Sequence, residues 1–442
     1  MCSLNAEIKA GVPQGSVLGP ILFLLFINDL VDEVNSEMYL FADDGTLLDE
    51  FNDLQLSINK LNNDLIAIEN WADTWLVDFN PVKTEGMTFS TRRVPSSTEN
   101  LIFFRTNIIK VVTSHKHLGV FLSSSFKWNE HIDYINNKCM KRLNILQKLK
   151  YKLPRATLNT LYITMIRSIL EYGIIIFYDK ESILTKKLES IQYKAALIVS
   201  GALKYSSYEK VLKDLGWPKI SERAKFLKVS LFYKAINGLT SKNFSNFLMA
   251  RCTRAGGVDH LRNHPRFLPP FGRSDRYKDS FLPTTCRLWN ELPIIITNSV
   301  SLTSFKTQYK KYYFCNPIYG CNVGDRRLNV LHARFRIGFT ALNNDLYLRS
   351  LCDSPLCACM QDIETPQHYF LYCPLFTAAR QTLFNTISDI LINCGLDISL
   401  FSDELLFNHL IYGFQFEFAK NNPILFIAIQ KYISITKRFD NI

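Results

Sequence analysis

The feature that most restricts how this chain can fold is the run Tyr39-Leu40-Phe41-Ala42-Asp43-Asp44-Gly45-Thr46-Leu47-Leu48, two short apolar segments on either side of an acidic turn. Such a pattern predicts a β-hairpin. Its tip would carry two adjacent carboxylates, whose mutual repulsion must be relieved by water or by a cation. Two readings follow: a solvated surface turn, or an oxygen-rich site for divalent ions.

Composition allows several packed units. The chain has 442 residues, 47% hydrophobic and 13% aromatic, enough apolar material for sizeable cores. Lys and Arg outnumber Asp and Glu by 51 to 40, a net charge of +11 that favours a polyanionic partner. Glu7 and Lys9 interrupt any secretory signal, and Ile21–Ile27 is too short to span a bilayer. The apolar stretch Ile163–Tyr178 is broken by Arg167 and Glu171 and reads as a buried helix. These points predict an intracellular protein with no membrane and no secreted partner.

Upstream of the hairpin stands Gly11-Val12-Pro13-Gln14-Gly15-Ser16-Val17-Leu18-Gly19-Pro20, followed by the apolar Ile21–Ile27 and Asn28-Asp29-Leu30. Gly15 and Ser16 permit close approach of backbone to a ligand and start a helix whose N-terminus faces it. Gln14 adds an uncharged hydrogen-bonding head. Downstream come Trp75-Leu76, then Asn80-Pro81-Val82-Lys83-Thr84, then His117-Leu118-Gly119-Val120 with Trp128 and His131. In this order the segments closely resemble the reverse transcriptases of non-LTR (LINE-like) retrotransposons.

That resemblance implies a function and a set of roles. Asp43 and Asp44 match the catalytic motif that holds two Mg²⁺ ions, while Pro13, Gln14, Gly15 and Ser16 match the nucleotide pocket. Lys83 matches the lysine beside the leaving phosphates, its alternative being a surface lysine after a proline turn. Leu118 and Gly119 match the primer-grip hairpin. The implied reaction is RNA-directed DNA synthesis in target-primed retrotransposition, with an RNA template and a DNA primer or target as partners, in the nucleus and cytoplasm. Weaker likeness continues through Leu161-Tyr162, Leu170–Gly173 and Ile191–Ala195, and again at Arg287–Pro293, where Trp289 is expected to be a core anchor.

Between Lys138 and Arg155 there are seven Lys or Arg and no acidic residue, beside an apolar stripe at Ile132, Ile135, Cys139, Leu143, Leu146 and Leu149. The spacing predicts a helix over Glu130–Lys152 with a basic outer face. Lys138, Lys141, Arg142 and Lys148 are candidate phosphate contacts, a solvated face being the alternative. Helices are also expected over Leu158–Tyr172 and Leu184–Val199. Farther on, Arg326, Arg327, Arg334 and Arg336 cluster with His332 and are expected to contact nucleic acid too.

A second constellation is Cys357-x-Cys359, eight residues, His368, four residues, Cys373. Three thiolates and an imidazole suit tetrahedral Zn²⁺, and the set resembles the CCHC motif that follows the polymerase region in LINE-like elements. Reduced, buried cysteines are the alternative, and Cys352 is a spare thiol.

The expected architecture is α+β. It comprises a partial reverse-transcriptase palm, an antiparallel sheet with helices, at 1–95; a palm–thumb junction and helical thumb at 96–200; a helical connector at 201–315; and a zinc-knuckle-like module within 316–442. The family also requires an aspartate and fingers upstream of the Gly11 motif, where only ten residues stand. Asp29 and Asp32 match the family's Asn-Asp-Leu segment instead. The chain therefore reads as N-terminally truncated and is expected to be inactive alone, a non-catalytic nucleic-acid-binding remnant being the competing reading. Oligomeric state is left open.

Overall fold

The structure, a computed structural model, describes residues 12, 15–90, 102–178, 182–252, 267–314, 318 and 321–440. The chain divides into two compact units, Met1–His131 and Ile132–Ile442.

In the first unit, Ser16 Oγ accepts from Gly19 N at 3.0 Å and opens the helix Gly19–Ile27, with Pro20 in its first turn. This helix buries only Gly19 and Ile27 and runs into a 3₁₀ turn, Asn28–Glu33. The chain then enters strand β1 (Glu37–Phe41) through a junction fixed by Asp64. That carboxylate has no solvent exposure and accepts from Asn35 N at 2.8 Å and Ser36 N at 3.0 Å. Asp53 caps the long helix Leu54–Trp75 by accepting from Gln55 N and Leu56 N. Trp71 Nε1 donates to Asp29 at 3.2 Å, so Asp29 anchors the 3₁₀ turn to that helix. Ile27, Leu30, Leu65, Ile68, Trp71, Phe104 and Ile109 form the core.

The strands pair in twos. β1 pairs antiparallel with β2 (Asp44–Leu48), β3 (Glu85–Gly86) lies parallel to β6 (Lys110–Val111), and β4 (Phe103–Phe104) with β5 (Asn107–Ile108) and β7 (Ser114–His117) with β8 (Val120–Ser123) are antiparallel. The α+β class stands as a mostly helical chain with small sheets. The palm sheet expected from the sequence consists, among the described residues, of these separate pairs, one of them parallel.

The second unit is helical. Helix Asn129–Leu149 matches the expected stripe: Ile132, Ile135, Cys139, Leu143 and Leu146 are all buried. Helix Arg155–Leu161 passes into a π-turn, Tyr162–Arg167, and the apolar stretch breaks at Gly173, whose φ of 68° favours glycine. Glu171 is held there by a bidentate pair with Arg223 at 2.7 and 2.6 Å. Among the described residues no helix is long and apolar enough to cross a membrane.

Two cores follow. One gathers on Trp289, which is fully buried and stacked on Phe305, an anchor rather than an exposed platform for bases. The other packs helices Arg326–Ile337, Thr377–Ile392, Asp403–Tyr412 and Asn422–Ile435 around Phe335, Tyr369, Phe370 and Phe426.

Candidate functional site

The hairpin places the acidic pair at its tip. Phe41 and Asp44 are the last paired residues, leaving Ala42 and Asp43 as a two-residue turn. Ala42 has φ of 53°, the left-handed conformation that tight hairpin turns require and that costs a non-glycine residue about 1 kcal/mol. Asp43 and Asp44 are exposed, and among the described residues neither carboxylate has a hydrogen-bond partner. No third Asp, Glu, His or Cys joins them in a metal-sized cluster among the described residues.

The other expected palm residues are placed as follows. Gly15 has φ of 88°, and an added side chain there would be strained; Ser16 caps the following helix. Pro13 and Gln14 lie outside the described residues. Lys83 is exposed on a turn built by Asn80, whose side chain accepts from Val82 N and Lys83 N. Leu118 and Gly119 are the two central residues of the β7–β8 hairpin, with φ of 44° and 86°, a turn whose twist matches its strands.

The basic residues separate into two groups. Lys138, Lys141 and Lys148 are exposed along the helix Asn129–Leu149, and Arg142 is half-buried. The arginine cluster does not form a surface patch. Arg326 donates to the main-chain oxygens of Lys150, Ile198 and Val199, at 3.3, 3.2 and 2.8 Å. Arg334 is buried with Nε on Gly201 O, and Arg336 is buried against Asp214. Only Arg327 of the four is exposed, donating to Phe439 O and Asp440 O near the end of the chain. Arg326 and Arg334, expected to contact nucleic acid, thus turn toward carbonyl groups at helix ends.

His332 is buried too, 3.0 Å from Leu410 O through Nε2, and burial pushes its pKa down to about 3. The unfolded chain holds the proton below about pH 6.5 and the folded chain does not, so stability falls as pH drops through that window and levels off near pH 3. Between pH 7 and pH 5 this histidine is expected to remove roughly 2 kcal/mol. Urea unfolding of the native chain and of His332→Gln at both pH values tests this; equal pH slopes would refute it.

The cysteine and histidine ligands come together. The candidate donor atoms of Cys357, Cys359, His368 and Cys373 all lie within 4.8 Å of one another. The Cys357 and Cys373 sulfurs are 3.6 Å apart, and Cys359 Sγ is 3.2 Å from His368 Nε2. A tetrahedral ion with bonds of about 2.3 Å to sulfur and about 2.0 Å to nitrogen keeps its ligands roughly 3.5–3.8 Å apart, so the donor set fits zinc.

Local structure explains the convergence. Cys357 N donates to Asp362 O and Leu356 bridges Ile363, closing a hairpin around Cys359 in which Met360 has φ of 61°. His368 opens a π-turn that brings Cys373, five residues on, back to its own carbonyl, Cys373 N to His368 O at 2.8 Å. Burial pushes the Cys357 thiol up to about 12. The amides of Gln361 and Asp362 point at Cys359 and help hold its thiol below the ordinary value against desolvation. Cys352 is apart from the cluster, its thiol on Asn343 O and Ser354 O.

One supporting pair was not picked out in advance. Glu364, almost wholly buried, accepts twice from Arg438 at 2.6 Å and once from Asn343 N at 2.7 Å, tying the ligand hairpin to the C-terminal segment. Glu364 is visible in the sequence as a flank of the motif. Its partner lies 74 residues away, and no local pattern points to it.

Residues 5–139 match the family of reverse transcriptase (RNA-dependent DNA polymerase). The chain is 28% identical over 227 residues to the RNA-directed DNA polymerase from mobile element jockey of Drosophila melanogaster, an overlap of 49% of this chain and 24% of that protein. It is 26% identical over 235 residues to the probable RNA-directed DNA polymerase from transposon BS of the same fly, 50% of this chain and 26% of that protein. Residues 5–139 thus carry a reverse transcriptase domain, and the chain is similar to the polymerases of non-LTR mobile elements. It also resembles the retrovirus-related Pol polyprotein from type-1 retrotransposable element R1 of Bradysia coprophila, 21% identical over 423 residues, 90% of this chain and 37% of that one. This likeness extends well beyond the domain at 5–139. The chain spans about a quarter of the length of the first relatives it matches.

Proposed function

We propose that this reverse transcriptase chain carries palm chemistry for RNA-directed DNA synthesis: attack of a DNA primer 3′-hydroxyl on the α-phosphate of a deoxynucleoside triphosphate, templated by RNA, in target-primed retrotransposition. The observation that carries this reading is the hairpin tip, where Asp43 and Asp44 are adjacent, exposed and unpartnered among the described residues. Carboxylates without protein donors keep their lone pairs for hard cations, and Mg²⁺ suits an all-oxygen site. When bound, Mg²⁺ stabilises charge on the attacking and leaving oxygens.

The chain's own residues then have distinct tasks. Gly15 and Ser16, with Pro13 and Gln14, line the nucleotide pocket, and the ammonium of Lys83 offsets charge on the leaving phosphates. Leu118 and Gly119 support the primer. Lys138, Lys141, Arg142, Lys148 and Arg327 hold the nucleic-acid backbone. Cys357, Cys359, His368 and Cys373 hold a structural Zn²⁺ with no open position. The element would work in the nucleus and cytoplasm, with 1–95 as palm, 96–200 as thumb, 201–315 as connector and the zinc module within 316–442.

Two carboxylates without a third ligand make a weak site. The 442-residue chain alone is expected to bind Mn²⁺ weakly, read by paramagnetic resonance and lost in Asp43→Asn, Asp44→Asn. Unchanged Mn²⁺ binding in that variant would sink the metal reading. Nucleotide incorporation on an RNA template is expected at background, and Asp43-dependent incorporation would overturn the expected inactivity. The exposed cations of helix Asn129–Leu149 favour a second reading, a non-catalytic nucleic-acid-binding chain. Both readings predict salt-sensitive binding to RNA or DNA; only the first predicts a metal at the hairpin tip.

A further inference from the structure

Tyr151 and Tyr205 are unlike the other tyrosines of the second unit's cores. Tyr151 is 68% exposed and Tyr205 76% exposed, and each has an ammonium beside its ring: Lys150 Nζ at 5.0 Å from the Tyr151 centroid, Lys204 Nζ at 4.9 Å from that of Tyr205. Tyr205 also has φ of 72°. A left-handed backbone costs a bulky residue 1–2 kcal/mol, as an order of magnitude, and burial of this ring returns nothing for it.

The segments that carry the two tyrosines converge on one helix, Arg326–Ile337. Arg326 binds Lys150 O together with Ile198 O and Val199 O, and Arg334 binds Gly201 O. The Tyr151 phenol lies within electrostatic reach of both guanidiniums. An added side chain on Gly201 would meet Val330 at 2.4 Å, so Gly201, at the head of the loop that carries Tyr205, lies tight on helix Arg326–Ile337. The ends of helices Asn129–Leu149 and Ile183–Ser200 therefore meet here. Helix C-termini carry partial negative charge, which would repel phosphate. Arg326 and Arg334 offset it, and Lys148, Lys152 and Lys204 are exposed. The one acid on the adjoining helix start, Asp325, is committed to Arg327 N and Leu328 N.

We propose that this surface is a platform for single-stranded RNA, with Tyr151 and Tyr205 stacking on bases and Lys148, Lys150, Lys152 and Lys204 holding phosphates. It combines sequence-tolerant aromatic faces with a cation track, the chemistry that distinguishes single-strand binding from duplex binding. The choice of RNA rests on the proposed templating function, because the template is the strand that remains single ahead of synthesis.

The test is fluorescence anisotropy of the full chain with a twelve-residue oligo(U), an oligo(dT) and a duplex. Tyr151→Ala, Tyr205→Ala is expected to weaken oligo(U) binding roughly tenfold per ring with the salt slope unchanged, and to leave duplex binding within twofold. Tyr151→Phe, Tyr205→Phe retains affinity, since stacking needs the ring and not the hydroxyl. Lys150→Gln, Lys152→Gln lowers the salt slope by about 1.4. Unaltered oligo(U) binding in the alanine variant, equal losses in the phenylalanine variant, tenfold preference for oligo(dT), or equal competition by polyglutamate would each overturn the proposal. Mn²⁺ binding at the hairpin tip is read in the same samples and does not depend on either tyrosine, so failure of the platform is separable from failure of the palm reading.

Discussion

Replacing Cys357 and Cys359 together with serine is expected to abolish stoichiometric zinc in the purified chain and to lower the stability of the C-terminal core by several kcal/mol. The four donor atoms already lie within 4.8 Å of one another, and the buried Cys357 thiol is costly to ionise without a cation. Structural zinc sites bind with apparent free energies on the order of 10 kcal/mol near neutral pH, which is a ceiling here. The core beside the Cys–His cluster keeps Tyr369, Phe370 and Tyr432 packed without an ion, so the loss is a fraction of that value. Atomic absorption reads the metal, and thermal unfolding with and without a chelator reads the stability. Equal zinc in both proteins would remove these ligands from the assignment, and a chelator-insensitive unfolding midpoint would remove the structural role.

Asp214→Asn is expected to be as damaging through a different cause. Asp214 is fully enclosed between Arg155, 2.7 Å away, and Arg336, 2.5 Å away, both of them buried. Removing the carboxylate's charge leaves two guanidiniums in a low-dielectric interior, a loss of roughly 3–5 kcal/mol. Burial would raise the Asp214 pKa, but the two arginines overcome that and hold it below the ordinary carboxylate value. Its contribution is thus present above about pH 4 and lost as pH falls through the lowered value. Urea unfolding at neutral pH measures the deficit. Replacing the charges together, as Asp214→Leu with Arg155→Met and Arg336→Met, should recover most of it, because apolar packing often matches a buried ion cluster. An Asp214→Asn protein within 1 kcal/mol of the native chain would show that the pair is solvated.

The two predictions differ in how visible their residues are beforehand. The Cys–His cluster is legible because its spacing is local: one hairpin and one π-turn bring four donors together over 17 residues. The acidic hairpin is legible for the same reason, since two short apolar segments flank the Asp43-Asp44 turn directly. The arginine cluster is misleading. Arg326, Arg334 and Arg336 look like a surface patch by charge alone, yet they turn inward. Their partners are Lys150 O, Val199 O, Gly201 O and Asp214, more than a hundred residues earlier. Free carbonyls at helix ends leave no mark on composition. Asp64 and Glu364 are hidden likewise, as ordinary acids until the amides of Asn35 and Ser36 or the guanidinium of Arg438 meet them. Tyr151 falls beside a basic run that is plain to see, but the strained backbone of Tyr205 is a property of the folded loop.

Arg326 has a further consequence for how the second unit comes apart. Its guanidinium joins the end of one helix, the last turn of another and the start of a third, across sequence separations of 176, 128 and 127 residues. Neither helix end can fray without withdrawing an acceptor from this half-buried cation. Local opening near Val199 is thereby coupled to opening of the C-terminal helices, so amide protons at these distant positions should exchange together, as parts of one cooperative block.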